Sequence, residues 1–220
     1  MSSANIEKYS RDLEKNINKG YWINSHGLIS TPSLTTIAVT GLGRSGTTMI
    51  SRILNNMNLY MGDVITRNSH EDKEIQVLIK EKNYNDFERL CRNRDALYSK
   101  WGFKCPALRS QLTSFCHLMR NPRVIIIFRD ILAISMRNQI SINLDIIEGM
   151  NKALQGYQSL IKEISKCDIP LLAISYEKAL QFPNEIVKAI ASFCGFNLTN
   201  YELEEIAKTI KNGDEKYLLN

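Results

Sequence analysis

Several signals that would settle the class of a protein at once are missing from this sequence. Its five cysteines, Cys91, Cys105, Cys116, Cys167 and Cys194, are odd in number and widely spaced, and no C-x-x-C pair occurs. That argues against a disulfide framework and against a thiolate zinc site. The cysteines read instead as small apolar fillers in a reducing compartment. No apolar stretch approaches the roughly 20 residues that a membrane-spanning helix needs. The opening residues, Met1-Ser2-Ser3-Ala4-Asn5-Ile6-Glu7, lack the charged-then-apolar order of a secretory signal. A cytoplasmic protein without a transmembrane segment is the expectation. Polybasic runs are absent too. The net charge of +5, from 28 Lys+Arg against 23 Asp+Glu, is spread along the chain. It suits an anionic ligand and gives no nucleic-acid arm.

What is present is an alternation of strand and helix patterns over 220 residues, a length suited to one sizeable domain. Ile6, Tyr9, Leu13 and Ile17 give residues 4–18 helical spacing. Residues 19–34, with Gly20, Gly27 and Pro32, read as an irregular connector. Residues 1–34 are therefore set apart as an N-terminal helix and connector, left as packing or homodimer-contact material. The main domain is placed at 35–220. Within it, Thr35 to Thr40 is a β-branched run and reads as a strand. A helix is expected over 47–57, with Met49, Ile50, Ile53, Leu54 and Met57 along one side. Residues 71–98 are polar with helical stretches. Trp101 to Leu108 reads as a short strand ending in a turn at Pro106, and 109–119 as helix. Arg123 to Phe128 is apolar on both faces, as a buried parallel strand requires. Helices follow at about 131–138 and 145–165, a strand at Leu171 to Ser175, and helices at 183–194 and 200–209. This alternation implies an α/β fold with a parallel sheet and right-handed crossovers.

Between the first strand and its helix lies Gly41-Leu42-Gly43-Arg44-Ser45-Gly46-Thr47-Thr48. A strand, a glycine-rich turn and a helix N-terminus make an anion site, since backbone N–H groups and the helix dipole point at the ligand. The glycines let the backbone curl and approach a phosphate. Arg44 adds a charged fork, and Thr47 and Thr48 add hydroxyls. The spacing is nearly G-x-x-x-x-G-K-[ST], but Thr47 stands where that motif has Lys, and the cation is inside the loop at Arg44. A nucleoside-triphosphate enzyme uses that Lys on the β/γ-phosphates, so a small-molecule kinase using ATP becomes the alternative rather than the leading reading. A non-catalytic nucleotide-binding module is a third reading.

Gly43-Arg44-Ser45-Gly46-Thr47-Thr48 resembles the 5′-phosphosulfate loop of sulfotransferases that use 3′-phosphoadenosine 5′-phosphosulfate (PAPS), enzymes of the P-loop kinase-like fold. The resemblance implies a three-layer fold with a central parallel β-sheet flanked by helices. It extends over about residues 35 to 196. The strand Val124–Phe128 leading into Arg129-Asp130 resembles the family's 3′-phosphate segment, in which an apolar strand ends in Arg and a Ser follows on the next helix. The family Ser lies eight residues after the Arg. Here that position is Arg137, and Ser135 lies six after, so both remain candidates. Trp101-Gly102-Phe103-Lys104-Cys105-Pro106 resembles a Trp-Gly-x-Lys-Asp-Pro pattern and makes Lys104 a second stabiliser of the leaving phosphate beside Arg44. A lysine so placed is rarely buried without an anionic partner. In Ser69-His70-Glu71-Asp72-Lys73-Glu74, which follows the loop helix as the catalytic Glu does in glycosaminoglycan-type members, Glu71 is the favoured base and His70 the second. Ser175-Tyr176-Glu177-Lys178-Ala179-Leu180 is similar to the family's Tyr-Glu-Asp-Leu segment and reads as structural; Lys211-Asn212-Gly213 occupies the place of a basic 3′-phosphate loop. The implied cofactor is PAPS with no metal. The implied acceptor is a hydroxyl of a saccharide or small metabolite, as in carbohydrate sulfation.

Overall fold

A computed structural model of the chain describes residues 19–24, 26, 32–63 and 70–212. The helix expected over 4–18 lies outside the described residues, as do Ser69 and Gly213. In chain order the strands are β1 (Tyr21–Ile23), β2 (Thr35–Gly41), β3 (Lys100–Lys104), β4 (Arg123–Phe128) and β5 (Leu171–Ser175). The helices are α1 (Thr47–Asn56), α2 (Lys73–Glu81), α3 (Tyr84–Leu97), α4 (Leu112–Cys116), α5 (Ile131–Ile142), α6 (Ile146–Ile164), α7 (Tyr176–Gln181), α8 (Pro183–Cys194) and α9 (Asn200–Ala207).

The strands form one sheet in the order β1-β5-β4-β2-β3. β5, β4, β2 and β3 are mutually parallel, and β1 joins β5 antiparallel, with Tyr21 opposite Ile174 and Ile23 opposite Leu172. Strand β1 is a departure from the connector expected over 19–34. Three residues are too few to show a periodicity. What holds them is the β5 edge together with Asn24, whose amide donates to Ile169 O at 2.7 Å and whose carbonyl oxygen accepts the Leu171 N–H at 2.9 Å. At the other edge, Tyr60 pairs with Trp101 as an isolated parallel bridge, and Gly102 N–H donates to Tyr60 O at 2.8 Å.

The pleat sorts the core into two layers. On β4, Ile125 and Ile127 point to one face, where they meet Ile50, Ile53 and Leu54 of α1 and Ile186, Val187 and Ile190 of α8. Val124 and Ile126 point to the other, where they meet Phe87 of α3, Phe103 and Phe115, Ile134 of α5 and Leu160 of α6. Helices on both faces of the sheet make three layers, the arrangement that lets parallel strands be apolar on both sides. Among the described residues, no helix is long and apolar enough to cross a membrane.

Two helices differ from their expected bounds. The stretch 109–119 is broken. A 3₁₀ turn spans Pro106–Ser110, and α4 begins only after Gln111, whose φ of −143° and ψ of 22° are not helical. Helix α5 runs on to Ile142 and ends at Asn143 in the left-handed region.

Replacing Ile126, buried at the centre of the sheet, by Ala should lower the unfolding free energy by about 2–4 kcal/mol, read from the urea midpoint at unchanged slope.

Candidate functional site

The C-terminal ends of the four parallel strands meet at one edge, and each delivers one candidate group. β2 ends in the glycine-rich loop, β3 in Lys104, β4 in Arg129 and β5 in Tyr176. β2 and β4 are neighbours in the sheet, yet α1 leaves β2 toward one face while α5 and α6 leave β4 toward the other. Chains that diverge from adjacent parallel strands open a crevice, the usual ligand position in such sheets.

The loop closes on itself around Ser45. Its N–H and its hydroxyl both donate to Leu42 O, at 3.1 and 2.7 Å. Gly46 has φ of 106°, and a Cβ there would come within 2.4 Å of the Tyr176 ring, so no other residue fits. Gly43 differs: a Cβ there meets nothing within 4 Å, so its missing side chain leaves open space beside the loop. Arg44 adopts φ of 67°, a left-handed conformation that costs a non-glycine residue about 1 kcal/mol. Six other helices are capped by a side chain, from Asp72, Asn83, Asp130, Asp145, Ser175 and Thr199. Helix α1 has neither a side-chain cap nor an acidic residue in its first turn, which leaves its positive dipole end without a carboxylate.

Lys104 and Glu71, separate candidates in the sequence, form one pair. Lys104 is 2% exposed. Its ammonium donates to Glu71 Oε1 at 3.1 Å and to Thr48 Oγ1, in the first turn of α1, at 3.4 Å. Burial pushes the Lys104 ammonium below the ordinary lysine range, and Glu71 opposes that shift. Glu71 Oε2 also accepts from the Gln76 amide. His70 lies beside this pair with φ of 54°. Burial, and then the charges of Arg52 and Lys104, hold its imidazole below the usual histidine range.

Arg129 reaches the loop from the far side of the crevice. Its Nη1 donates to Arg44 O at 3.2 Å, across 85 residues of sequence. Its guanidinium carbon lies 4.2 Å from the centre of the Tyr176 ring. Its Nε is buried with no partner. Burial first, then the nearby charge of Arg137, push the guanidinium below its ordinary range. The backbone at Arg129 is clamped by Tyr157, whose hydroxyl accepts the Arg129 N–H at 2.7 Å and donates to Arg129 O at 2.8 Å. Of the two 3′-phosphate candidates, Arg137 is half-buried and close enough to act on Arg129 electrostatically. Ser135 is buried against Gly149 of α6 and donates its hydroxyl to Ile131 O at 2.7 Å.

Sequence reasoning missed three contributors. Tyr176 touches both halves of the crevice, packing on Gly46 and on Arg129, and its hydroxyl donates to Asn212 Oδ1 at 3.3 Å. Tyr157 lies in a helix with no local signal of its role. The buried ion pair between Asp72 and Arg94, at 2.6 Å, has a partial signal only: Asp72 precedes an apolar-periodic run, as a helix cap does. The five cysteines are free thiols, and burial pushes that of Cys105 up to about 11 and those of Cys91 and Cys194 up to about 12. His26 pairs with Asp168 at 2.7 Å, and His117 lies 3.3 Å from Thr113 O, both remote from the crevice. Among the described residues, no group of three or more His, Cys, Asp or Glu is gathered as a metal site.

No protein-family profile matches the chain, and no curated protein does. Solved structures do. The sulfotransferase STF1 from Mycobacterium tuberculosis is similar with a TM-score of 0.56 at 15% identity, over 96% of this chain and 77% of that one. The sulfotransferase domain of the olefin synthase from Synechococcus PCC 7002 gives 0.55 at 14%, over 86% and 81%. Mouse sulfotransferase SULT7A1, solved with PAP, gives 0.50 at 15%, over 85% and 68%. The chain therefore shares the fold of these sulfotransferases.

Gly46→Ala should cost about 2 kcal/mol or more of stability, measured by denaturant unfolding. For His70 the sign is fixed by its lowered pKa. As pH falls below about 6.5 the unfolded chain takes up a proton that the folded chain refuses, so stability falls with pH down to the folded-state value. His70→Gln should flatten that part of a melting-temperature profile between pH 7 and 5.

Proposed function

We propose that this protein is a PAPS-dependent sulfotransferase acting on a hydroxyl of a saccharide or other small metabolite. The observation that carries the reading is the convergence of Arg129 and the Arg44 loop on one crevice, with the Arg129 Nε buried and unpartnered. A donor with phosphate at both ends of an adenosine needs two separate anion sites, and the crevice offers two. At the 5′ side stand the loop, the uncapped start of α1 and Lys104. At the 3′ side stand Arg129 and Arg137. Arg137 is preferred to Ser135 because the Ser135 hydroxyl is spent within its own helix. The shared fold with the Mycobacterium tuberculosis sulfotransferase, and with the mouse protein solved with PAP, supports the assignment.

Bound in this crevice, the donor would supply a sulfuryl group on a phosphate leaving group. The chain's own residues divide the remaining work. Glu71 takes the proton of the acceptor hydroxyl as that oxygen bonds to sulfur. Lys104 and Arg44 meet the charge that builds on the phosphate oxygen as its bond to sulfur breaks. Lys104, which reaches both Glu71 Oε1 and Thr48 Oγ1 of α1, would turn toward α1 once the loop is occupied and leave the Glu71 carboxylate free to act. His70, whose imidazole burial and then the charges of Arg52 and Lys104 hold below the usual histidine range, is the second candidate base. The kinase alternative fares worse. The side chain of Thr47, at the position of the missing lysine, is buried and cannot replace an ammonium on a γ-phosphate. Free thiols and mildly basic charge fit a cytoplasmic setting.

Thermal melts separate the readings. 3′-Phosphoadenosine 5′-phosphate without Mg²⁺ should raise the melting temperature by mass action; a response to Mg-ATP alone sinks the proposal. Arg129→Ala should weaken binding of the 3′-phosphorylated nucleotide by about 10- to 100-fold, about 1.4–3 kcal/mol, and that of its 3′-dephosphorylated analogue far less. Glu71→Gln should keep nucleotide binding and lower kcat by about 100-fold or more, measured with labelled PAPS and a saccharide acceptor panel.

A further inference from the structure

We infer that the buried ion pair of Asp72 and Arg94 is the positioning device for the Glu71–Lys104 couple, acting on the proposed reaction without touching a reactant; the inference rests on the sulfotransferase reading above. Asp72 is fully buried and has three anchors. Its Oδ2 accepts from Arg94 Nη1 of α3 at 2.6 Å. Its Oδ1 accepts the Ile75 N–H at 3.1 Å and so caps α2. Its own N–H donates to Lys104 O, at the end of β3, at 3.4 Å. One residue thus ties α2, α3 and the strand that carries Lys104 to a common point. Glu71 is the next residue along, and the left-handed turn at His70 (φ 54°) comes immediately before it. The direction in which Glu71 points at Lys104 is therefore set by what holds Asp72.

The surroundings leave Asp72 no slack. A Cβ on Gly62 would come within 2.3 Å of Asp72 Oδ2. The Arg94 guanidinium carbon lies 5.2 Å from the Trp101 ring centre and 5.8 Å from that of Tyr60, with Nη2 at 3.5 Å from Glu74 and Nε buried without a partner. Capping alone does not account for a buried cation. Helices α5 and α6 are also capped by aspartates, Asp130 and Asp145, and among the described residues neither cap is ion-paired. A buried pair is a poor source of net stability, because desolvation offsets the Coulomb gain, but it fixes geometry well. Placement is the role left for it, within a crevice where an error of about 1 Å costs about 100-fold in rate.

The test removes both charges while keeping the cap. The double variant D72N/R94M should fold, and 3′-phosphoadenosine 5′-phosphate should stabilise it as it does the wild type. Its kcat should fall by about 100-fold with KM for the donor little changed. Because the pair positions the couple as a unit, adding E71Q should not multiply the losses: the triple variant should fall well short of the product of the D72N/R94M and E71Q losses. A wild-type kcat, or losses that multiply in the triple variant, overturns the inference. A second readout is independent of activity. Amine-reagent labelling of Lys104, followed by mass spectrometry, should be several-fold faster in D72N/R94M than in the wild type, because the anchored segment opens; equal rates overturn the positioning role. If the double variant does not fold, R94K, which lacks the planar fork, takes its place in both measurements. A wild type that shows the labelling contrast but neither binds the nucleotide nor transfers sulfuryl sinks the proposed function and leaves the positioning role of Asp72 standing.

Discussion

Everything at the ligand edge depends on one topological constraint: neighbouring strands β2 and β4 hand their chains to opposite faces of the sheet. The crevice between them is not carved by side chains. It is what remains when α1 packs on one layer of the core and α5 and α6 on the other. That is why residues as distant in sequence as Arg44 and Arg129 meet there. It also explains why the candidate site residues gather at the ends of the parallel strands while the strand middles are apolar.

The second property of the site is electrostatic. A helix N-terminus without a carboxylate, a lysine only 2% exposed and an arginine with an orphaned nitrogen lie along one crevice. Each cation is held by burial in a state that an anion would relieve. The lysine absent from the loop at position 47 has a counterpart in space: Lys104 comes from the neighbouring strand and presents its ammonium to the same first turn of α1. Cation and helix end are assembled from two strands instead of from one motif. In the resting chain the Lys104 charge is balanced by Glu71, so one contact joins the two groups to which the proposed function gives the stabilising and proton-accepting roles.

The fold was largely legible because its dominant signals are local. Arg123–Phe128, Leu171–Ser175 and Pro183–Cys194 were readable from apolar runs, proline punctuation and glycine stops alone. The loop was legible for the same reason, since glycines that must take positive φ announce themselves in sequence. What escaped depends on partners. Strand β1 exists because the β5 edge and the Asn24 side chain hold it. The 109–119 stretch breaks because Pro106 starts a 3₁₀ turn that Gln111 cannot continue. In the site, Lys104 and Glu71 could each be singled out, but not their contact, which is a property of tertiary packing. Arg94 looked like any charge on a polar helix, and nothing in its neighbours predicts an exposure of only 4%. Tyr176 was recognised only as part of a structural segment, because its second surface, toward Arg129, comes from another strand.

The two edges of the sheet carry a consequence for how the molecule behaves in a crowd. A sheet edge with a long row of unpaired N–H and C=O groups is a template for another chain. Here one edge ends in β1, only three residues long and bearing the exposed Trp22. The other is interrupted at its middle, where Tyr60 takes the Gly102 N–H and lays its own segment beside β3. Among the described residues, neither edge offers a run long enough to recruit a foreign strand. The ordered α/β core is thereby blunted against aggregation by strand addition, through edge pairing and the Asn24 side chain, independent of whatever the crevice binds.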